Sequence, residues 1–144
     1  MSEEKVKSIM HDFVGAMAKR DVEKGVSLCA EDVAWSLPEG KGRKEVKRYL
    51  EWLAQSTADL TVADSGIGIM VQGNKAVYEH VWKGTVRGMK WEGPYICVYE
   101  FSDEKIQNIR TVYDRLSIAK QAAKGWIART IVNSIAKRWP KGSL

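Results

Sequence analysis

Residues 95–116, YICVYEFSDEKIQNIRTVYDRL, constrain the fold more than any other stretch, because they read as a strand hairpin that needs cover on both faces. Within Tyr95–Phe101, Tyr95, Cys97, Tyr99 and Phe101 share one side, while Ile96, Val98 and Glu100 share the other. Ser102-Asp103-Glu104-Lys105 supplies a turn, and Ile106–Tyr113 mixes β-branched with long polar residues as a returning strand does. Asp114 follows at the mouth of a helix. Turned inward, its carboxylate needs a partner, since an uncompensated buried charge is costly. Turned to the helix, it is a favoured N-cap.

The upstream chain packs onto this hairpin. Val6, Ile9, Met10, Phe13, Val14 and Met17 recur at the spacing of an amphipathic helix. Asp21 is the candidate cap of a short second helix that Gly25 weakens. Val33–Leu37 reads as a strand closed by Pro38-Glu39-Gly40, with Trp35 and Leu37 on one face. A third helix is expected over Lys44–Leu53, with Val46, Tyr49, Leu50 and Leu53 on its stripe. From Leu60 the pattern is β. Gly66 and Gly68 suggest a bulge in Leu60–Val71, and Gln72-Gly73-Asn74-Lys75 is a hairpin turn. In Ala76–Val86 one face holds Tyr78, His80 and Trp82, the composition of a pocket wall. The order is helices, a curved antiparallel sheet, and a terminal helix over Arg115–Trp139 that Gly125 could kink.

Charge is unevenly placed. Residues 115–144 hold seven Lys or Arg and no Asp or Glu, whereas the rest of the chain holds sixteen basic against eighteen acidic residues. The positive excess therefore belongs to the tail. Its apolar stripe (Leu116, Ala119, Ala123, Trp126, Ile127, Ile131, Ile135 and Trp139) is expected to pack on its own domain or on a dimer mate. Anionic lipid is the alternative occupant. No nucleic-acid partner is expected, because the basic residues are not interleaved with exposed stacking platforms. Cys29 and Cys97 lack CxxC spacing and suit buried, reduced thiols, which together with the charged N-terminus points to a cytoplasmic protein. Nucleotide-loop, HExxH and GxSxG motifs are absent, and neither cofactor nor metal is expected with only His11 and His80 available.

Two segments, FVGAMAKRDVEKGVSLCAEDVAWSLPEGKGRKEVKRYL (Phe13–Leu50) and VYEFSDEKIQNIRTVYDRL (Val98–Leu116), resemble the nuclear transport factor 2-like superfamily, and within it the SnoaL-like branch. That branch is related to ketosteroid isomerase and limonene epoxide hydrolase. The resemblance spans about residues 5 to 120 and implies an α+β cone: a bent antiparallel sheet wrapped around N-terminal helices and an apolar cavity, often as a homodimer. It implies one SnoaL-like domain over 1–144, with a core over 5–116 and a basic C-terminal helix over 115–139. The isomerase base corresponds to Leu37, its oxyanion tyrosine to Phe13, and its second acid to the neighbourhood of Cys97, so that reaction is not expected. The hydrolase Arg-x-Asp pair reads His80-Val81-Trp82. Asp114 matches the carboxylate of SnoaL-type cyclases. The resulting expectation is a small hydrophobic or polycyclic ligand, with Asp114 and His80 sharing acid/base work. Phe13, Trp35, Tyr78, Trp82, Tyr95 and Tyr99 are the expected wall. A non-catalytic binding or assembly module is the alternative.

Overall fold

A computed structural model describes residues 1–36 and 39–138. Leu37, Pro38 and Trp139, which enter the sequence expectations above, lie outside the described residues. Helix α1 (Glu3–Lys19) starts at Ser2, whose side chain accepts from Lys5 N, and ends at Arg20 in the left-handed region. Its stripe, Val6 to Met17, is buried as the spacing requires. Helix α2 (Val22–Ser27) is capped by Asp21. Gly25 is buried there because α2 lies close to α3 (Arg43–Ser56): a Cβ at Gly25 would stand 2.8 Å from Leu50 Cδ1. The residue that weakens α2 as a helix is the one that lets it dock.

Six strands form one sheet in the order β2-β1-β6-β5-β4-β3. They are β1 (Cys29–Ser36), β2 (Glu39–Lys41), β3 (Thr57–Gln72), β4 (Lys75–Val86), β5 (Met89–Ser102) and β6 (Lys105–Tyr113). The sheet is curled and unclosed. One pairing departs from the expected antiparallel pattern, since β1 runs parallel to β6. Parallel neighbours need a long connection, and here it is the entire β2–β5 stretch with α3. Arg43 ties α3 to this edge, donating from Nε and Nη2 to the Cys29 carbonyl at 2.8 and 2.7 Å.

The bend expected at Gly66 and Gly68 is present. Both have positive φ, the β3–β4 register shifts between Asp64 and Ile69, and the Glu79 carboxylate accepts from Ile67 N at 3.2 Å. A bulge of this kind turns the strand and deepens the concave face. Against that face lie the helices, and the core between them joins Phe13 to Trp35, Tyr99, Phe101, Ile106 and Ile109.

The C-terminal helix is interrupted rather than kinked. It divides into α4 (Arg115–Ala122) and α5 (Gly125–Arg138), with Ala123 extended and Gly125 at φ +81°. The helix α5 packs on α4, yet Trp126, Ile127, Ile131 and Ile135 remain 77, 59, 55 and 52 % exposed. The α4 half of the expected stripe thus packs on the chain's own domain, against β5, whereas its α5 half does not. Among the described residues no helix is long and apolar enough to cross a membrane, and no cluster of His, Cys, Asp or Glu is placed to hold a metal.

Candidate functional site

The concave face holds two adjoining chambers. The outer one, of about 300 Å³, is bounded by α3 through Tyr49 and Trp52, by the β4–β5 end through Met89 and Lys90, and by α4 through Ile118 and Ala122. The inner one, of about 70 Å³, is lined by Trp35, His80, Trp82, Cys97, Tyr99 and Thr111. Tyr49, Leu53, Trp91 and Tyr95 border both, so these four side chains stand where the two chambers meet. The outer volume is at the small end of the range for ligand pockets.

Strand alternation delivers the inner wall. Tyr78, His80 and Trp82 all point inward and are 2, 1 and 7 % exposed. Cross-strand pairing then sets His80 opposite Tyr95 and Tyr78 opposite Cys97. The His80 ring is sandwiched: Tyr78 stacks at 4.2 Å, Tyr95 at 6.0 Å, and Trp82 meets it edge-on at 5.9 Å. His80 Nδ1 lies 3.2 Å from the Tyr78 carbonyl oxygen. A carbonyl only accepts, so this contact places the imidazole proton on Nδ1 and leaves a lone pair on Nε2.

Burial holds the His80 pKa below its ordinary value, against smaller upward pulls from the Tyr78 carbonyl and from Asp64. The neutral base is therefore the form this site favours. The unfolded chain binds the imidazole proton more readily than the folded one, so stability is complete above the unfolded value of about 6.5 and falls as pH drops toward the folded value. One proton limits the slope to about 1.4 kcal/mol per pH unit. Comparing denaturation of the wild type and His80→Gln from pH 7.5 to 5 should show this extra acid sensitivity only in the wild type; parallel curves would place His80 in contact with solvent.

Of the expected wall, Trp35, Trp82, Tyr95 and Tyr99 line the inner chamber with His80. Phe13 and Tyr78 border neither chamber. Phe13 is enclosed, edge-on to Trp35 at 5.7 Å and to Tyr99 at 6.3 Å. Tyr78 backs His80, and its hydroxyl donates to Asp64 Oδ1 at 2.6 Å. Asp114 is exposed at the N-cap of α4, where Oδ1 accepts from Ser117 N at 2.9 Å. It borders neither chamber, so the structure does not bring Asp114 and His80 onto one space. The physical reason is the group of orphan N–H donors at the start of α4, which the carboxylate satisfies.

Sequence reasoning missed Trp91 and Lys90 and took Tyr49 as core. Trp91 borders both chambers, and its indole Nε1 is buried without a hydrogen-bond partner among the described residues. By contrast, Trp35 Nε1 is satisfied by Thr111 Oγ1 at 3.2 Å. The roof over the outer chamber is held by a clamp. Gln121 on α4 accepts from Glu92 N at 2.9 Å and donates from Nε2 to Glu92 O at 2.8 Å. Pairing of β5 with β6 stops at Tyr95–Tyr113, so the Gln121 carboxamide serves the β5 backbone beyond the end of β6.

A curled sheet around three helices with an apolar chamber at its centre defines the nuclear transport factor 2-like class of α+β cones. The chain belongs to the SnoaL-like domain family, whose model matches residues 10–109. No curated protein matches it in sequence. Solved structures share the fold at low identity. TsrD from Streptomyces laurentii is 17 % identical, with a TM-score of 0.75 over 84 % of this chain and 96 % of its own. An LEH-like epoxide hydrolase of M. tuberculosis is 14 % identical, with 0.72 over 89 % and 96 %. A protein with a ketosteroid isomerase-like fold from Catenulispora acidiphila, in complex with trimethylamine, is 15 % identical, with 0.70 over 81 % and 93 %.

Proposed function

We propose that this chain binds a small, ring-bearing hydrophobic molecule in the two chambers, and that His80 is the residue able to take a proton from it. The observation that carries the reading is the set of apolar side chains, Tyr49, Leu53, Trp91 and Tyr95, shared by an outer chamber and an inner one that His80 lines, with the imidazole Nε2 keeping its lone pair. Flat aromatic walls favour a flat ligand. Removal of a proton next to a carbonyl by Nε2 leaves an oxyanion, for which the Trp91 indole N–H is an unspent donor. This fits the isomerase and cyclase chemistry for which related folds are known, and it assigns the chemistry to His80, with Asp114 holding α4 over the mouth. N-phenyl-1-naphthylamine, a neutral fluorophore, tests the binding half: saturable enhancement at one probe per chain is expected, and a linear, unsaturable rise sinks the proposal.

The second reading is a binding module without catalysis. It is favoured by the absence of any carboxylate from the chamber linings among the described residues, which leaves His80 without an acidic counterpart. In either reading a second copy of the chain is proposed to cover the outer sheet face. There Ile96 and Val112 are cross-strand partners, and both are exposed with Ile67 and Met70. Sedimentation equilibrium should give twice the chain mass of 16.2 kDa at micromolar concentration. A monomer mass removes the dimer without touching the cavity.

A further inference from the structure

The polar groups around the chambers are unequal in kind. Lys90 stands at the outer mouth, exposed and without an ion pair among the described residues. The Tyr49, Tyr95 and Tyr113 phenols line the same chamber, and burial pushes the Tyr49 hydroxyl up to about 12 and raises Tyr95, so both remain protonated donors at neutral pH. Trp91 Nε1 is a further donor without a partner among the described residues. No Asp or Glu among the described residues lines either chamber. The nearest acidic wall belongs to an adjoining polar groove that Lys90 and Trp91 also border; there Glu92 is paired with Lys83 at 3.4 Å, and Asp59 is the remaining carboxylate of that lining.

The surroundings have the same sign. Arg115 lies over the Tyr113 ring, 5.5 Å from its centroid, and every charged side chain from Arg115 onward is positive. Lys90 and Arg115 are the positive groups at this rim, while the nearby Asp114 is engaged by Ser117 N and Glu92 by Lys83. Unengaged positive charge beside an apolar cleft concentrates ligands of the opposite sign. An anion at the rim keeps partial hydration and meets a lysine, whereas its apolar body can enter the aromatic-lined cleft without carrying charge with it.

We infer that the natural ligand is an amphipathic anion, a hydrophobic ring system bearing a carboxylate or similarly acidic oxygen group, with the anion held at Lys90 and the ring body inserted past Trp91 and Tyr95. This rests on the cavity reading above and adds the charge of the ligand to it. The aromatic walls alone would also accommodate a cation, because ring faces attract positive charge. The unpaired Lys90 and the lack of a carboxylate in the lining decide against it.

Displacement of N-phenyl-1-naphthylamine by three naphthalene derivatives of matched ring size tests the inference. The three are 2-naphthoate, its methyl ester, and (2-naphthylmethyl)trimethylammonium. At 20 mM salt, 2-naphthoate should displace the probe at a concentration at least tenfold lower than the ester, and the cation should be the weakest. The gap should narrow at 500 mM salt, and Lys90→Met should bring anion and ester together. Equal displacement by anion and ester, or strongest displacement by the cation, overturns the anionic ligand while the cavity stands. Should the neutral probe itself fail to saturate, the cavity reading falls and this inference with it. Retained melting temperature in Lys90→Met, expected for an exposed side chain, separates charge loss from unfolding.

Discussion

Phe13→Ala should lower the unfolding free energy by about 3–5 kcal/mol, the usual cost of removing a fully enclosed phenyl ring. Phe13 is 0 % exposed, and its ring is edge-on to Trp35 and to Tyr99, one from β1 and one from β5. It is thus a contact through which α1 joins β1 and β5, the two strands that flank β6 in the sheet. Since domains are stable by only about 5–15 kcal/mol, the loss is a large share of the whole. Urea denaturation reads it directly as a shift in midpoint with an unchanged slope. Phe13→Leu should retain most of the stability and bind N-phenyl-1-naphthylamine within about twofold of the wild type, because Phe13 borders neither chamber. A Phe13→Leu protein of normal stability that had lost the probe would return Phe13 to the ligand wall.

Leu53→Trp should weaken binding of N-phenyl-1-naphthylamine by about 100-fold, equivalent to about 2.7 kcal/mol. Leu53 sits on α3 where the two chambers meet, bordering both with Tyr49, Trp91 and Tyr95. A larger ring at that position fills the space the ligand body needs. Leu53 is half-buried, so the indole can take up part of the outer chamber without forcing the core apart. Near-normal melting temperature with lost binding is the expected pair of results. Unchanged affinity would move the binding site elsewhere, most obviously to the exposed isoleucine row of α5.

Much of this architecture is legible in the residues. Period-two alternation put Cys97, Tyr99 and Phe101 on one face of β5 and Tyr78, His80 and Trp82 on one face of β4, and all six are buried. The turn at Asp103 and Glu104 is also where expected, with both residues at positive φ, and the α1 stripe is buried along its length. What escaped the sequence has physical causes. No strand is expected between Val86 and Tyr95, a stretch broken by Gly88, Gly93 and Pro94, so the first half of β5 is missed and with it Lys90 and Trp91. Pro94 is tolerated because it falls just past the last β5–β6 pair, Tyr95–Tyr113, where one side of the strand lacks a neighbour in the sheet. The parallel β1–β6 pairing joins strands far apart in sequence and leaves no local pattern. Tyr49 lies on the apolar stripe of α3, and a stripe cannot tell core from cavity wall. Asp114 shows the same limit, since the carboxylate that could serve as a catalyst is the one that caps α4.

The six tryptophans turn the central claim, an apolar binding site reached past Trp91, into one spectrum. In a ¹H–¹⁵N correlation spectrum each indole N–H gives its own signal, assignable by Trp→Phe substitution. Titration with N-phenyl-1-naphthylamine should move the signals of Trp52 and Trp91 in the outer chamber, with Trp35 and Trp82 following as the inner chamber responds, while Trp126 on α5 stays fixed. Movement of Trp126 with Trp91 unmoved would contradict the account and place binding on the exposed helix.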